Sequence, residues 1–147
     1  MCGFAFSLIK DAQIKPSANF KDILSHRGPD SFGELKVEKG ISFYHWRLAI
    51  VDVGDDTLSQ QPVVKDENIL VYNGELYDYK KLADELDIKC ESDTQLLFEY
   101  CRQGIEVQQL KNCSGFFSYV YYDKINQKIR GGRDSWGKKP LFVYKDL

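Results

Sequence analysis

The chain has only two histidines, His26 and His45, and none of its four cysteines belongs to a C-x-x-C pair. Cys2, Cys90, Cys101 and Cys113 are widely spaced, so the ligand sets of structural zinc sites have no counterpart here and no metal is expected. Long apolar runs are missing as well. The apolar start from Cys2 to Ile9 is far below the ~20 residues that span a bilayer. No basic segment precedes it, so it does not read as a secretory signal. Free thiols without such a signal fit a reducing, cytoplasmic compartment. Nor does one sign of charge dominate: 20 Lys and Arg face 22 Asp and Glu, a formal net charge of −2. Without a basic stripe, nucleic acid and anionic membrane are not expected partners. No repeat, low-complexity tract or Pro/Gly-rich linker divides the sequence.

What is present reads as a folded protein. Hydrophobic residues make up 43% and charged residues 29%, which separates the chain from disordered sequences. Its 147 residues suit one domain, residues 1–147, with a single sizeable core. Aromatic and β-branched residues predict strands at Gly3 to Ile9, Gly40 to Asp52, Asn68 to Tyr72, Gly115 to Tyr122, Lys128 to Gly132 and Leu141 to Tyr144. The second is apolar on both faces around His45 and Arg47, as expected of a strand covered on both sides. Three helices are predicted. Ser17 caps one carrying Phe20, Ile23 and Leu24, which breaks at Gly28-Pro29. Asp78 caps another with Tyr79, Leu82, Ala83 and Leu86 at helical spacing. Ser92-Asp93-Thr94-Gln95 has the capping-box form, and Gly104 is the expected stop. Helices clustered among short strands predict an α+β fold.

Several residues could carry chemistry. A small second residue permits removal of Met1, which would leave Cys2 with a free α-amine. Thiol and amine have reference pKa values of about 8.5 and 8, so one residue would supply both nucleophile and base. The alternative is that a cysteine merely follows the start. Tyr72-Asn73-Gly74-Glu75 contains an Asn-Gly pair between apolar runs, a hairpin-turn signal. The Asn73 amide and Gly74 N–H are also a suitable donor pair for a tetrahedral oxyanion, and one turn could serve both purposes.

Arg47 interrupts an apolar strand. It is either paired internally, with Asp52 or Glu75, or offers its planar fork to a substrate carboxylate. Asp93 follows a helix cap, where the helix dipole alone favours a carboxylate; it and Glu75 could equally meet a substrate ammonium. His26-Arg27-Gly28-Pro29-Asp30 reads as a structural loop. Arg133 to Pro140 reads as a solvated turn before an anion-binding loop, and Gly131-Gly132 lacks phosphate-loop spacing.

Taken in order along the chain, these segments resemble the class II glutamine amidotransferase domain. This is the N-terminal-nucleophile glutaminase found at the front of asparagine synthetases. The matching segments are MCGF, HRGPD, HWRLAIVD, QQP, YNGELYDYKKL, SDTQ, GFFSYVYYD and RDSWGKKPLF. The resemblance implies an αββα sandwich of two antiparallel sheets, of the Ntn-hydrolase type, and hydrolysis of L-glutamine without a cofactor. By the same resemblance Cys2 is the nucleophile, and Asn73 and Gly74 form the oxyanion hole. Arg47 holds the substrate carboxylate, the backbone of Ile50 and Val51 lines the pocket, and Glu75 and Asp93 stand near the substrate amine.

Departures from the pattern are few. SDTQ stands for the usual SDTE, and Asp78 for the common Asn. The chain stops at Leu147, before the strand with a Ser-Glu-x-Lys-type segment, and no ATP-pyrophosphatase motif is present. A C-terminally shortened sandwich with a bare sheet edge leads us to expect a separate ATP-dependent synthetase subunit or a homo-oligomer. The competing expectation is a non-catalytic domain that binds glutamine or scaffolds a synthetase.

Overall fold

A computed structural model describes residues 2–9, 19–37, 40–49, 60–105 and 114–144. Among the described residues seven strands and three α-helices follow one another as β1 (Gly3–Leu8), α1 (Phe20–Ile23), β2 (Ser31–Val37), β3 (Ile41–Arg47), β4 (Val63–Lys65), β5 (Asn68–Leu76), α2 (Tyr79–Glu85), α3 (Asp93–Arg102), β6 (Gly115–Asp123) and β7 (Lys128–Arg133), with a 3-10 turn at Ser25–Arg27. They form two antiparallel sheets, ordered β1-β3-β2 and β4-β5-β6-β7.

The alternation of side chains along each strand explains the layers. On β3, Ile41 and Phe43 point at the second sheet and meet Ile69 and Val71 of β5 and Val120 and Tyr122 of β6. Tyr44 and Trp46 point the other way, where Phe20 of α1 packs edge-on at 4.9 and 5.8 Å. β3 is therefore covered on both faces, as its sequence predicts. Leu70, Tyr72 and Leu76 on the far side of β5 meet Leu97, Phe98 and Cys101 of α3. The order is helix, sheet, sheet, helices: the expected α+β sandwich. No helix among the described residues is long and apolar enough to cross a membrane.

Local signals hold with corrections. Ser92 caps α3, its Oγ accepting the Gln95 N–H at 3.2 Å, but Gln95 Oε1 accepts from the Glu91 N–H at 2.9 Å, one residue before the cap. Gly104 ends the helix at φ +73°. Asp78 precedes α2 but makes no capping bond with its side chain. Ser17 lies outside the described residues, α1 spans a single turn, and Ile23 faces solvent.

Leu141 to Tyr144 forms no strand. Only Leu141 packs on the core, while Phe142, Val143 and Tyr144 are exposed. An extended segment needs a hydrogen-bonding neighbour, and none of the described strands provides one. The weakly patterned β2 and three-residue β4 were not predicted.

Candidate active site

The end of β3 and the start of β1 lie side by side, since Gly3 pairs with Trp46. The Leu48 N–H donates to Cys2 Sγ at 3.4 Å, and the thiol faces the Leu48 carbonyl at 3.7 Å. This seats Cys2 next to Arg47, whose side chain is 5% exposed. The loop read as structural braces the same corner. The Asp30 N–H donates to the Arg47 carbonyl at 3.0 Å, and Asp30 Oδ2 accepts from the Ala49 N–H at 2.7 Å. Gly28 is required there, because an added Cβ would stand 2.3 Å from the Trp46 carbonyl.

Asn73 and Gly74 are not in a turn. They sit inside β5, opposite Ser118 and Phe117 of β6. The hairpin expectation fails because the glycine serves close strand approach: a Cβ on Gly74 would lie 2.3 Å from the Phe116 carbonyl. Asn73 alternates with Val71, so its buried side chain lies on the face turned to the first sheet. Backbone groups alternate too. The Gly74 N–H therefore points the same way as that of Tyr72, away from β6. β4 pairs only with Asn68 to Leu70, so no described strand pairs with that side of Gly74.

Asp93 is engaged within the fold. Its Oδ2 accepts from the Tyr72 hydroxyl at 2.8 Å and from the Leu76 N–H at 3.1 Å. Glu75, between them, is exposed. Burial raises the Tyr72 phenol far above the ordinary tyrosine value, and the negative charges of Asp93 and Glu75 and the Cys2 thiol reinforce this. One phenol thus senses groups from both sheets. Ile50, Val51 and Asp52 lie outside the described residues.

The segment from Arg133 to Pro140 is a largely exposed turn, as read, but Asp134 and Lys139 are buried within it, and its inward N–H groups do not await a foreign anion. The anion is Asp134 itself. Its carboxylate accepts the N–H groups of Phe117, Trp136, Lys138 and Lys139 at 3.0 to 3.2 Å. Burial works to raise its pKa, but those four bonds outweigh it and hold the group below the ordinary aspartate value. The loop buries Lys139, whose ammonium lies 4.7 Å from the centre of the Phe116 ring. Burial, then Arg27, lowers the pKa of Lys139; Cys2, Asp134 and Glu75 act in the opposite sense.

The fold thus gathers Cys2 and Arg47 from the first sheet and Asn73, Gly74 and Glu75 from the second at one end of the sandwich. Asp93 lies behind the β5 residues. Tyr72, Gln61, Asp134 and Lys139 were not singled out beforehand. Their signal, polar residues inside aromatic or turn-like sequence, is indistinguishable from surface pattern until the partners are known. Among the other thiols, Cys101 lies on the buried face of α3 and burial pushes it up to about 12 against the pull of Arg130. Cys113 lies outside the described residues. A groove of about 1100 Å³ runs along β6 and β7, past Cys101, Tyr119, Arg130 and Trp136. Neither Cys2 nor Asn73 lines it.

The family model for the glutamine amidotransferase domain matches residues 1–146, and the chain belongs to that family, in its class II branch. It is 31% identical over 157 residues to asparagine synthetase [glutamine-hydrolyzing] 1 of Bacillus subtilis, covering 97% of this chain and 24% of the relative. It is 35% identical over 127 residues to the Homo sapiens asparagine synthetase [glutamine-hydrolyzing], covering 81% of this chain and 22% of that protein. The chain spans about a quarter of the length of these relatives.

Proposed function

We propose that this chain is a glutaminase domain that hydrolyses L-glutamine to glutamate and ammonia, with Cys2 as nucleophile once Met1 is removed. The observation that carries the reading is the Cys2 thiol held at Leu48, beside the buried Arg47. The Asn73-Gly74 segment of the opposing sheet supplies donors.

Arg47 binds the substrate α-carboxylate, with the backbone of Ile50 and Val51 lining the pocket, while Glu75 and Asp93 stand near the α-amine. Cys2 Sγ attacks the side-chain amide carbon, its proton passing to the free α-amine of the same residue. The oxyanion is held by the Asn73 amide and Gly74 N–H. Collapse breaks the C–N bond, the α-ammonium protonates the leaving group, and ammonia departs. Water, deprotonated by the same amine, then cleaves the thioester to glutamate and restores the thiol. No cofactor enters this scheme.

The ammonia would pass to a synthetase partner, as the relatives' names join glutamine hydrolysis to asparagine synthesis. The 147 residues would act as one domain. An intact mass spectrum after incubation with an electrophilic glutamine analogue tests the first step. The expected result is loss of Met1 and one adduct, absent in Cys2→Ser, whose glutaminase rate should fall by about 10³-fold or more. Retained Met1, or protein left unlabelled, would point to a non-catalytic glutamine-binding or scaffolding domain.

A further inference from the structure

Tyr72 directly precedes the Asn73-Gly74 pair, and its backbone N–H and its hydroxyl are both engaged. Its backbone N–H donates to Gln61 Oε1 at 2.6 Å. The His45 ring of the other sheet also faces the Tyr72 backbone, which raises its pKa against the effect of burial. The Tyr72 hydroxyl donates to Asp93 Oδ2 at 2.8 Å, and the same oxygen takes the Leu76 N–H at 3.1 Å. A single carboxylate oxygen thereby brackets Asn73, Gly74 and Glu75, gripping the residue before them and the residue after.

We infer that Tyr72 is a positioning residue for glutamine hydrolysis, holding the Asn73-Gly74 donors at the distance an oxyanion requires. The inference rests on the proposed roles of Cys2 and Asn73. The physical need is clear: oxyanion donors work only when fixed in advance, and a shift of about 1 Å can cost on the order of 10²-fold in rate. β4 stops opposite Leu70, so among the described residues no strand neighbour steadies that edge of β5 beyond it. Gln61 and Asp93 supply restraints there. The phenol is 3% exposed, and with Asp93 beside it remains a donor across the working pH range. Were Tyr72 only a core aromatic, its ring packing against α3 would matter and its hydroxyl would matter for stability alone.

Tyr72→Phe keeps the ring and removes the oxygen. The measurements are kcat and KM for ammonia release, and the rate of Cys2 alkylation by iodoacetamide, a displacement that forms no oxyanion. We expect kcat to fall at least about tenfold with the alkylation rate unchanged. Asp93→Asn can keep an acceptor in place of Oδ2 and should spare kcat while raising KM. Asp93→Ala opens the bracket from the other side and should lose kcat as Tyr72→Phe does, giving a second reading if that variant folds poorly. Wild-type kcat in Tyr72→Phe, or equal losses of hydrolysis and alkylation, would overturn the inference. Wild-type protein that neither releases ammonia nor takes a glutamine analogue on Cys2 would overturn the proposed function itself.

Discussion

His45 is 2% exposed in the centre of β3, and its chemistry follows from that position. Burial, with help from Arg47, holds the imidazole down to about 4, while its bond to the Tyr72 backbone opposes the shift. An unfolded histidine titrates near 6.5. As pH falls from about 6.5 to 4, the unfolded chain gains a proton that the folded chain refuses, so stability drops across that window. The full effect is about 3 kcal/mol. Urea midpoints measured at pH 7.5 and 4.5 should fall accordingly, and His45→Asn should flatten the difference. The sequence alone places His45 in a doubly covered strand but says nothing about its partner, because Tyr72 is 27 positions away and in the other sheet.

At the level of elements, the Arg133–Pro140 segment depends on one carboxylate. Four backbone N–H groups converge on Asp134, and its own N–H donates to the Phe117 carbonyl at 2.8 Å. Replacing it with Ala would strip those groups of their acceptor. Asp134→Ala is expected to lower stability by about 3 kcal/mol, read from denaturant unfolding. Limited proteolysis should then cut first near Trp136. The bond pattern was illegible in a string of charged and turn-forming residues, since Asp134 acts on amides up to 17 positions away. Five strands were readable: β1, β3, β6 and β7 lie where composition predicts them, and β5 begins there but runs on to Leu76. The Asn73-Gly74 turn signal failed because local preference cannot register an adjacent strand. Leu141 to Tyr144 failed for the complementary reason, strand-like composition without a pairing edge.

For the molecule as a whole, the layer between the sheets is the part of the core that joins the two halves of the site. Phe43 is fully buried there, 5.0 Å from the Phe6 ring and 6.4 Å from Tyr122 of the opposing sheet. Phe43→Ala should cost about 3–5 kcal/mol, checked by denaturant unfolding. Because the same layer spaces Cys2 against Asn73, glutaminase activity should fall in this variant before the fold is lost. The family's identity was legible from ordered motifs along the chain. What those motifs do to one another was not.

The sequence by itself determined the α+β class, the covered central strand, the α3 cap at Ser92 and its stop at Gly104. These follow from side-chain alternation, burial preference and local capping, which act over a few residues. It also marked Cys2, Arg47, Asn73, Gly74, Glu75 and Asp93 as the residues to watch. Only the tertiary structure decided that Asn73-Gly74 lies in a strand, that Asp93 grips Tyr72 and Leu76, and that Asp134 is the anion of its own loop. Those outcomes depend on which backbone amides and apolar faces meet across the two sheets, and such long-range pairings are set by closure of the whole core.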